Sequence, residues 1–293
     1  MGDVVLKPGL LRFSHPELER AFRRHRSETV LQSTELNFLK LNGVLYFLFV
    51  VPEFISSNFT FNLAFALKLL GALLNILHYF MAQRLPAETW LQNRFVLVTL
   101  FRTARLLVFL TSVPLWIDDA EMDAGTLFKA TVLRTGLLVN VWYAIGMPLL
   151  FTEHLPLHGM HVAITALVTT NGTCGAVLET PASREMFREV WMKVNQLLLT
   201  LAGVSDLPCK RSADVEETLM FSCQGLLYIS HLLIGFALPT LLLWKMEVAS
   251  RQDFVRTMNQ RRDMGRIRLD CSWIPDLSRI VGECYLWCGM WSG

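Results

Sequence analysis

The sequence predicts an all-α integral membrane protein, built as a bundle of six transmembrane helices. Three observations lead there: 53% of the 293 residues are hydrophobic, the mean hydropathy is +0.39, and the apolar residues are concentrated in six stretches. A helix needs about 20 apolar residues to cross a hydrocarbon core about 30 Å thick, and each stretch is close to that length. The stretches are Leu39–Ile55, Phe59–Met81, Phe95–Ile117, Val132–Phe151, Leu155–Leu178 and Leu219–Trp244.

Helices are expected because a bilayer offers no hydrogen-bonding partner to a free backbone N–H or C=O group. A transmembrane β-barrel would instead show segments of about ten residues in which polar and apolar residues alternate, and the sequence shows no such pattern. Three parts are therefore predicted: a cytosolic N-terminal segment (1–37), a six-span domain (38–246) and a basic tail (247–293) that contains Trp and Cys.

The distribution of Lys and Arg predicts the orientation of the bundle. The N-terminal segment and the tail are rich in arginine, and the loop after the second stretch carries Arg84 and Arg94. The loop after the third stretch carries acidic residues between Asp118 and Asp123. Because basic loops stay in the cytosol, both termini are predicted to be cytosolic, as an even number of spans requires. The sequence does not identify the membrane.

A short amphipathic helix is predicted before the first span, over Glu17–Arg26. Ser14 and Glu17 have the spacing of a capping box, and Phe13 with Leu18 has that of a hydrophobic staple. The helix is expected on the inner membrane surface, or alternatively as a solvated helix docked on the loops. The basic residues expected at the membrane surface, here and in the tail, are Arg20, Arg23, Arg24, Arg261 and Arg262. Those in the tail have a second interpretation, which is that they only enforce orientation.

The segment Phe13–Phe22 reads FSHPELERAF and lies just before the six-span block. It resembles the lead-in segment of six-span membrane domains in algal and protist proteins, most of them of unknown function. In some of those proteins the block precedes a nucleotide-cyclase or other signalling domain. Because the chain ends soon after the sixth span, the resemblance implies a membrane domain without its effector.

A second amphipathic helix is predicted between spans five and six, at about residues 181–203. Thr180 and Pro181 fit the N-cap and first positions of a helix, and apolar residues follow at helical spacing. The apolar part is too short to span, so the helix is expected to lie on the outer surface or to enter and leave on one side. A channel pore helix is the alternative, but no glycine-rich filter string follows.

Ionisable residues inside predicted spans are candidates for a solute pathway, because burying charge in a bilayer is costly. The candidates are Lys68, Arg102, Arg105 and Arg134, with Glu53 as the acid expected to pair with them. An anion or acidic-substrate site lined by Arg102, Arg105 and Lys68 is one hypothesis. The alternatives are a voltage sensor, for which too few bases have the right period, and structural or snorkelling roles.

Three histidines, His154, His158 and His161, lie at the start of the fifth span, after Glu153. Pro156 is expected to mark the helix start, which leaves only His158 and His161 on the helix proper. Imidazoles bind metals, so these two are the lesser candidates for a metal site, against the interpretation that they anchor the helix start. No metal and no cofactor is assigned.

Three cysteines, Cys174, Cys209 and Cys223, fall on the predicted outer side, where one disulfide is expected if that compartment is oxidising. Cys209 paired with Cys223 or with Cys174 is the expected bridge, and the sequence does not choose between them.

Three functions compete. The first is a non-enzymatic scaffold, assembly or regulatory membrane module, because the sequence has no catalytic residues in a recognisable motif and no phosphate-binding loop. The second is a small-solute transporter or channel that uses Arg102, Arg105 and Lys68. The third is an intramembrane enzyme acting on lipid with Glu153 and the two histidines. The expected partners are the bilayer, anionic inner-leaflet lipids, and a protein partner or a second copy, with no nucleic acid.

Overall fold

A computed structural model describes residues 6–7, 11–56, 62–112, 130–201 and 215–260, and these residues are almost entirely helical. The helices are α1 (Pro16–Arg26), α2 (Gln32–Ser56), α3 (Leu63–Arg84), α4 (Ala87–Ser112), α5 (Leu137–Gly146), α6 (Phe151–Val177), α7 (Pro181–Leu201), α8 (Val215–Ser230) and α9 (Leu238–Gln260). Three π-helical segments, Ser27–Leu31, Ala130–Arg134 and His231–Ala237, adjoin them. A two-residue antiparallel pair, β1 (Leu6–Lys7) with β2 (Arg12–Phe13), precedes α1. The predicted all-α class is confirmed.

Three described helical segments are long and apolar enough to cross a membrane: Leu63–Arg84, Glu88–Ser112 and Leu219–Asn259. A fourth crossing is added if α6 and the first part of α7 form one broken span, bent by 116° at the break. The structure therefore supports three to four crossings by length and composition. The count of six stays a prediction.

Two of the predicted boundaries differ from the structure. The loop after the second span was expected to contain Arg94, but α4 begins at Ala87 and Arg94 lies two turns inside it. The predicted fourth span, Val132–Phe151, is not one helix. Its only α-helix is α5, ten residues long, because Gly136 adopts a left-handed conformation (φ 72°) on one side and the chain leaves the helix at Met147 on the other.

The chain divides into two compact units, and the larger contains Ser27–Trp244. In this unit α2, α3 and α4 pack in sequence order, and α6 packs against α4, α5 and α8. Amide and small residues provide the close packing between α2 and α3. The Asn75 side chain donates to the Leu39 carbonyl at 2.9 Å and accepts from Asn42 at 2.9 Å, and Gly71 leaves room for the Tyr46 ring.

A glycine also permits the contact between α2 and α5. The Phe38 ring occupies the space that a side chain at Gly146 would need. The same ring lies 5.3 Å from the Trp142 ring and 6.1 Å from the Tyr143 ring, measured between centroids. Phe38 is buried, so this aromatic cluster joins α2 to α5.

The amphipathic helix predicted after the fifth span is α7. Its N-cap is Thr180, as expected, and the Thr180 hydroxyl accepts from the Ser183 amide at 3.2 Å. The apolar residues of α7 recur at helical spacing and so share one face. This face buries Phe187 against a cluster formed with α6 and α8. The helix therefore folds back onto the bundle through this cluster.

A disulfide joins Cys174 on α6 to Cys223 on α8, which corrects the expectation that Cys209 pairs with Cys223. The two half-cystines lie in the cluster that also buries Val177 and Leu227, so helix packing brings them together across 49 residues of sequence. Cys209 lies outside the described residues.

The smaller unit contains the described residues up to Arg26 together with residues 245–260. Its centre is Arg251, 1% exposed. The Arg251 guanidinium donates to both carboxylate oxygens of Glu19, at 2.7 and 3.1 Å, and to Glu247 at 2.8 Å. The guanidinium carbon of Arg251 also lies 4.1 Å from the centroid of the Phe22 ring. Charge pairing and aromatic packing therefore hold α1 against the end of α9.

The predicted helix before the first span is confirmed as α1, but its N-terminal contact differs. Glu19, not Glu17, reaches back along the chain and accepts from the Phe13 amide at 3.0 Å. Burial alone would raise the pKa of Glu19. The Arg251 guanidinium and the Phe13 N–H outweigh it and hold this pKa below its ordinary value of 4.5.

Peptide mapping under non-reducing conditions should recover a Cys174–Cys223 cross-linked peptide from the purified protein. Removing the bridge with Cys174→Ser should lower the free energy of unfolding by about 4 kcal/mol, the loop-closure entropy of a segment this long. Cys209→Ser is the matched control and should leave the cross-linked peptide unchanged. Recovery of a Cys209–Cys223 peptide would contradict the bridge.

The lowered pKa of Glu19 predicts a defined pH dependence for α1. The stabilisation is present above the ordinary pKa of 4.5 and is lost as pH falls through the lower value of the folded state. Hydrogen-exchange protection factors in α1 should therefore be constant from neutral pH to about pH 5 and should decline below it.

Glu19→Gln should reduce α1 protection at neutral pH, by about 2 kcal/mol in local stability, because a charge-assisted bond is lost. Glu17→Gln, at an exposed position of the same helix, is the control and should have no effect. Equal protection in the two variants would refute the role of Glu19.

Candidate functional site

Glu35 is the carboxylate around which the polar interior of the larger unit is arranged. It lies in the first turn of α2 and is 0% exposed. Its Oε1 lies 2.7 Å from His78 Nε2 on α3, and its Oε2 accepts from Arg94 on α4 at 2.9 Å. The same Arg94 nitrogen donates to the Pro148 carbonyl at 2.7 Å. Each oxygen therefore has a nitrogen within 3 Å, and one acid contacts α3 and α4 from α2, while Arg94 extends the contact to the chain that leads into α6.

The neighbours of His78 define its tautomer. Its Nδ1 lies 3.3 Å from Arg105 Nη2. Since a guanidinium only donates, His78 Nδ1 accepts, and the proton sits on Nε2, which faces Glu35. The His78 ring also stacks on Phe101, with centroids 4.3 Å apart. His78 is thereby fixed in position, and it contacts Glu35 on one side and Arg105 on the other.

Arg105 is held in place by several groups. Besides His78, it contacts the Met147 sulfur at 3.2 Å and the Leu74 carbonyl at 3.4 Å. Its guanidinium carbon lies 5.7 Å from the centroid of the Tyr143 ring. Its Nε has no hydrogen-bond partner among the described residues. A buried cation is thus pre-oriented and still has one donor unused.

A cavity of about 410 Å³ adjoins Arg105. Among the lining residues that the structure describes, Arg105 and Lys68 are charged and none is acidic. The remaining lining residues are Tyr46, Val50, Leu67, Gly71, Val108, Phe109, Ser112, Leu133, Val139 and Tyr143. This size is within the range typical of small-molecule sites, which are mostly apolar with a few polar groups.

A second polar cluster surrounds Arg102, which is 1% exposed. Arg102 Nη2 lies 3.5 Å from His158 Nδ1, and His158 Nε2 lies 2.7 Å from the Gly235 carbonyl. Because the guanidinium only donates, His158 accepts from Arg102 and donates to Gly235. The next residue of α4, Thr103, lies 3.0 Å from His161 Nε2. This cluster joins α4 to α6 and to the π-helical segment before α9.

The position of His154 corrects an expectation. Pro156 was expected to mark the start of the helix, but α6 begins at Phe151, so all three histidines lie on it. At the sixth residue of the helix, a proline removes only one early hydrogen bond. His154 is 0% exposed and stacks on His158 with centroids 4.6 Å apart. Neither ring nitrogen of His154 has a partner in the described part of the chain.

The two histidines proposed as lesser metal candidates, His158 and His161, both have ring nitrogens within reach of other protein groups. Among the residues that the structure describes, no three His, Cys, Asp or Glu side chains are grouped so as to hold a metal ion.

The structure separates the predicted pathway residues. Arg105 and Lys68 line one cavity, and Arg102 faces the histidines instead. Arg134, half-buried, lies in the π-helical segment before α5 and does not line that cavity. Glu53 belongs to α2, but its side chain falls outside the described part of the structure.

Of the predicted surface arginines, Arg20 and Arg24 are exposed and Arg23 is half-buried beside Glu19. Arg261 and Arg262 lie outside the described residues.

Sequence reasoning missed Glu35 and the roles of His78 and Arg94. Glu35 lies just before the apolar stretch that begins at Leu39, so it was not counted as an intramembrane acid. Extending the helical face of that stretch back by one turn would have placed Glu35 on the side of Leu39.

No protein-family model matches the sequence, and no curated protein and no solved structure is detectably similar to it.

Glu35→Gln should lower the free energy of unfolding by about 3–5 kcal/mol, because it leaves Arg94 buried without its carboxylate. Glu185→Gln is the matched control, since Glu185 pairs with Arg188 on the exposed face of α7. This control should cost less than about 1 kcal/mol. Thermal or denaturant unfolding in detergent measures both, and equal effects would contradict the central role of Glu35.

Proposed function

We propose that this protein is a non-enzymatic, six-span membrane protein that binds an organic anion inside its helix bundle and carries it across the membrane. The observation that carries the proposal is the position of Arg105 at the wall of a mostly apolar cavity. No carboxylate of the described residues forms an ion pair with Arg105, although His78 links it to Glu35. The scaffold role expected from the sequence makes no use of this cavity.

The six-span arrangement rests on three to four crossings by length and composition, together with the 25-residue α2 and the broken segment around α5. The disulfide supports the proposed orientation. Cys174 lies near the end of α6, and Cys223 lies near the start of the candidate span Leu219–Asn259. Both are at the face that is outside if both termini are cytosolic. Disulfides persist in oxidising compartments, so that face is consistent with an extracellular or lumenal side.

The lining of the cavity favours one class of ligand. A guanidinium keeps its charge inside a protein, and a buried charge is costly unless it is paired. An anionic head group would neutralise Arg105 and accept from its unused Nε–H. The apolar walls, which include Val108, Phe109 and Leu133, would cover a hydrocarbon body. A carboxylic or sulfonic acid with an apolar body satisfies both requirements.

The support behind Arg105 is suited to a binding site. His78, Met147 and the Leu74 carbonyl restrict the rotation of the guanidinium, so little side-chain entropy remains to be lost when a ligand arrives. Ionisable groups that face the interior of a membrane bundle commonly mark solute pathways. The geometry therefore favours binding and carriage of an acid over a purely structural role.

The purified protein reconstituted into vesicles should take up radiolabelled benzoate or octanoate with saturable kinetics. Lys68→Met should reduce uptake at low substrate concentration by about tenfold, the effect of losing one charge-assisted contact. Val139→Phe should have a similar effect because it fills the cavity without changing its charge. Folding of each variant is checked by its melting temperature.

Lys193→Met is the control, because Lys193 lies on the exposed face of α7 and does not line the cavity. It should transport like the unmodified protein. Absence of uptake for either acid, together with no shift in melting temperature on adding them, would overturn the proposal. So would uptake that Val139→Phe leaves unchanged.

A further inference from the structure

The Arg102 cluster contains a buried charge that the described protein groups do not balance. Three other buried arginines of the described residues each have a carboxylate oxygen within 3.7 Å. They are Arg26, Arg94 and Arg251. Among the described residues, Arg102 has no such contact, and its one hydrogen-bond partner is His158. An uncompensated cation in a low-dielectric interior is strongly unfavourable.

The cluster also contains unused donors. Arg102 Nε and Nη1 have no hydrogen-bond partner among the described residues, and the same holds for both ring nitrogens of His154. His154 stacks on His158, the imidazole that accepts from Arg102. The neutral His154 ring carries one N–H. The site thus offers one positive charge and four N–H bonds on three nitrogens, and no carboxylate of the described residues pairs with Arg102.

We propose that Arg102 and His154 form a binding site for a small inorganic anion of the size of chloride. Arg102 is 1% exposed and His154 is 0% exposed, so a ligand that contacts both has to be small. A halide accepts hydrogen bonds from several directions and requires no donor or acceptor pattern of its own. It would therefore satisfy the orphan N–H groups and neutralise the guanidinium at the same time.

This site is distinct from the cavity beside Arg105 and does not depend on the transport proposal. Arg102 does not line that cavity. Bound at the junction of α4, α6 and the π-helical segment before α9, the anion would act as a structural ion that joins these elements.

The test compares melting temperatures of the purified full-length protein in sodium chloride and in sodium gluconate at equal ionic strength, without any organic acid. Chloride should raise the melting temperature by about 3 °C or more once it exceeds its dissociation constant tenfold. Equilibrium dialysis with radioactive chloride should give about one bound ion per chain. Because no organic acid is present, the result is independent of the cavity proposal.

Arg102→Met, which keeps an unbranched side chain but removes the charge, should abolish chloride binding and the chloride-dependent shift. His154→Phe, which keeps an aromatic ring in the stack, should weaken chloride binding about tenfold. Arg256→Gln is the control and should retain both readouts, since Arg256 is exposed and pairs with Asp253. If the unmodified protein melts identically in both salts and binds no chloride, water satisfies these donors and the site does not exist.

Discussion

The structure depends on how buried charged side chains are compensated where water does not reach them. In the larger unit, Glu35 compensates the buried charge of Arg94. One of its oxygens faces His78 and the other accepts from Arg94, so the carboxylate is shared by α3 and α4 while it belongs to α2. Because removing one partner of a buried pair leaves an isolated charge, such an arrangement is difficult to dismantle one residue at a time. This shared acid therefore specifies how the first three helices of the bundle align.

The three buried arginines of α4 have different environments because of helical geometry. Successive residues turn by 100°, so Arg94 and Arg105 lie only about 20° apart around the helix, whereas Arg102 is rotated from Arg105 by about 60°. Arg94 and Arg105 therefore face the Glu35–His78 pair, and Arg102 faces α6. A sequence pattern that resembles a row of equivalent charges therefore contains one arginine paired with a carboxylate and two that contact histidines instead.

The parts of the fold that follow from local pattern were predictable. The apolar stretches around α3, α4 and the segment from α8 to α9 were predicted because their length and periodicity are properties of the segment alone. The N-cap at Thr180 and the existence of α1 were predictable for the same reason. Hydropathy averages say nothing about partners, so they missed the pairing of Glu35 and the burial of Arg94. The joining of Cys174 to Cys223 depends on which helices pack together, and sequence spacing alone pointed to Cys209.

The contact between Phe38 and Gly146 bears on which inherited variants the chain tolerates. Gly146 ends a short helix and has no charge, motif or partner that would single it out in the sequence. Yet the ring occupies the volume of any side chain at that position, and it also touches Tyr143, a wall residue of the cavity. Even the smallest missense change there would displace the ring and, through it, the tyrosine. Loss-of-function alleles are therefore expected at Gly146, although this residue has no side chain and does not line the cavity.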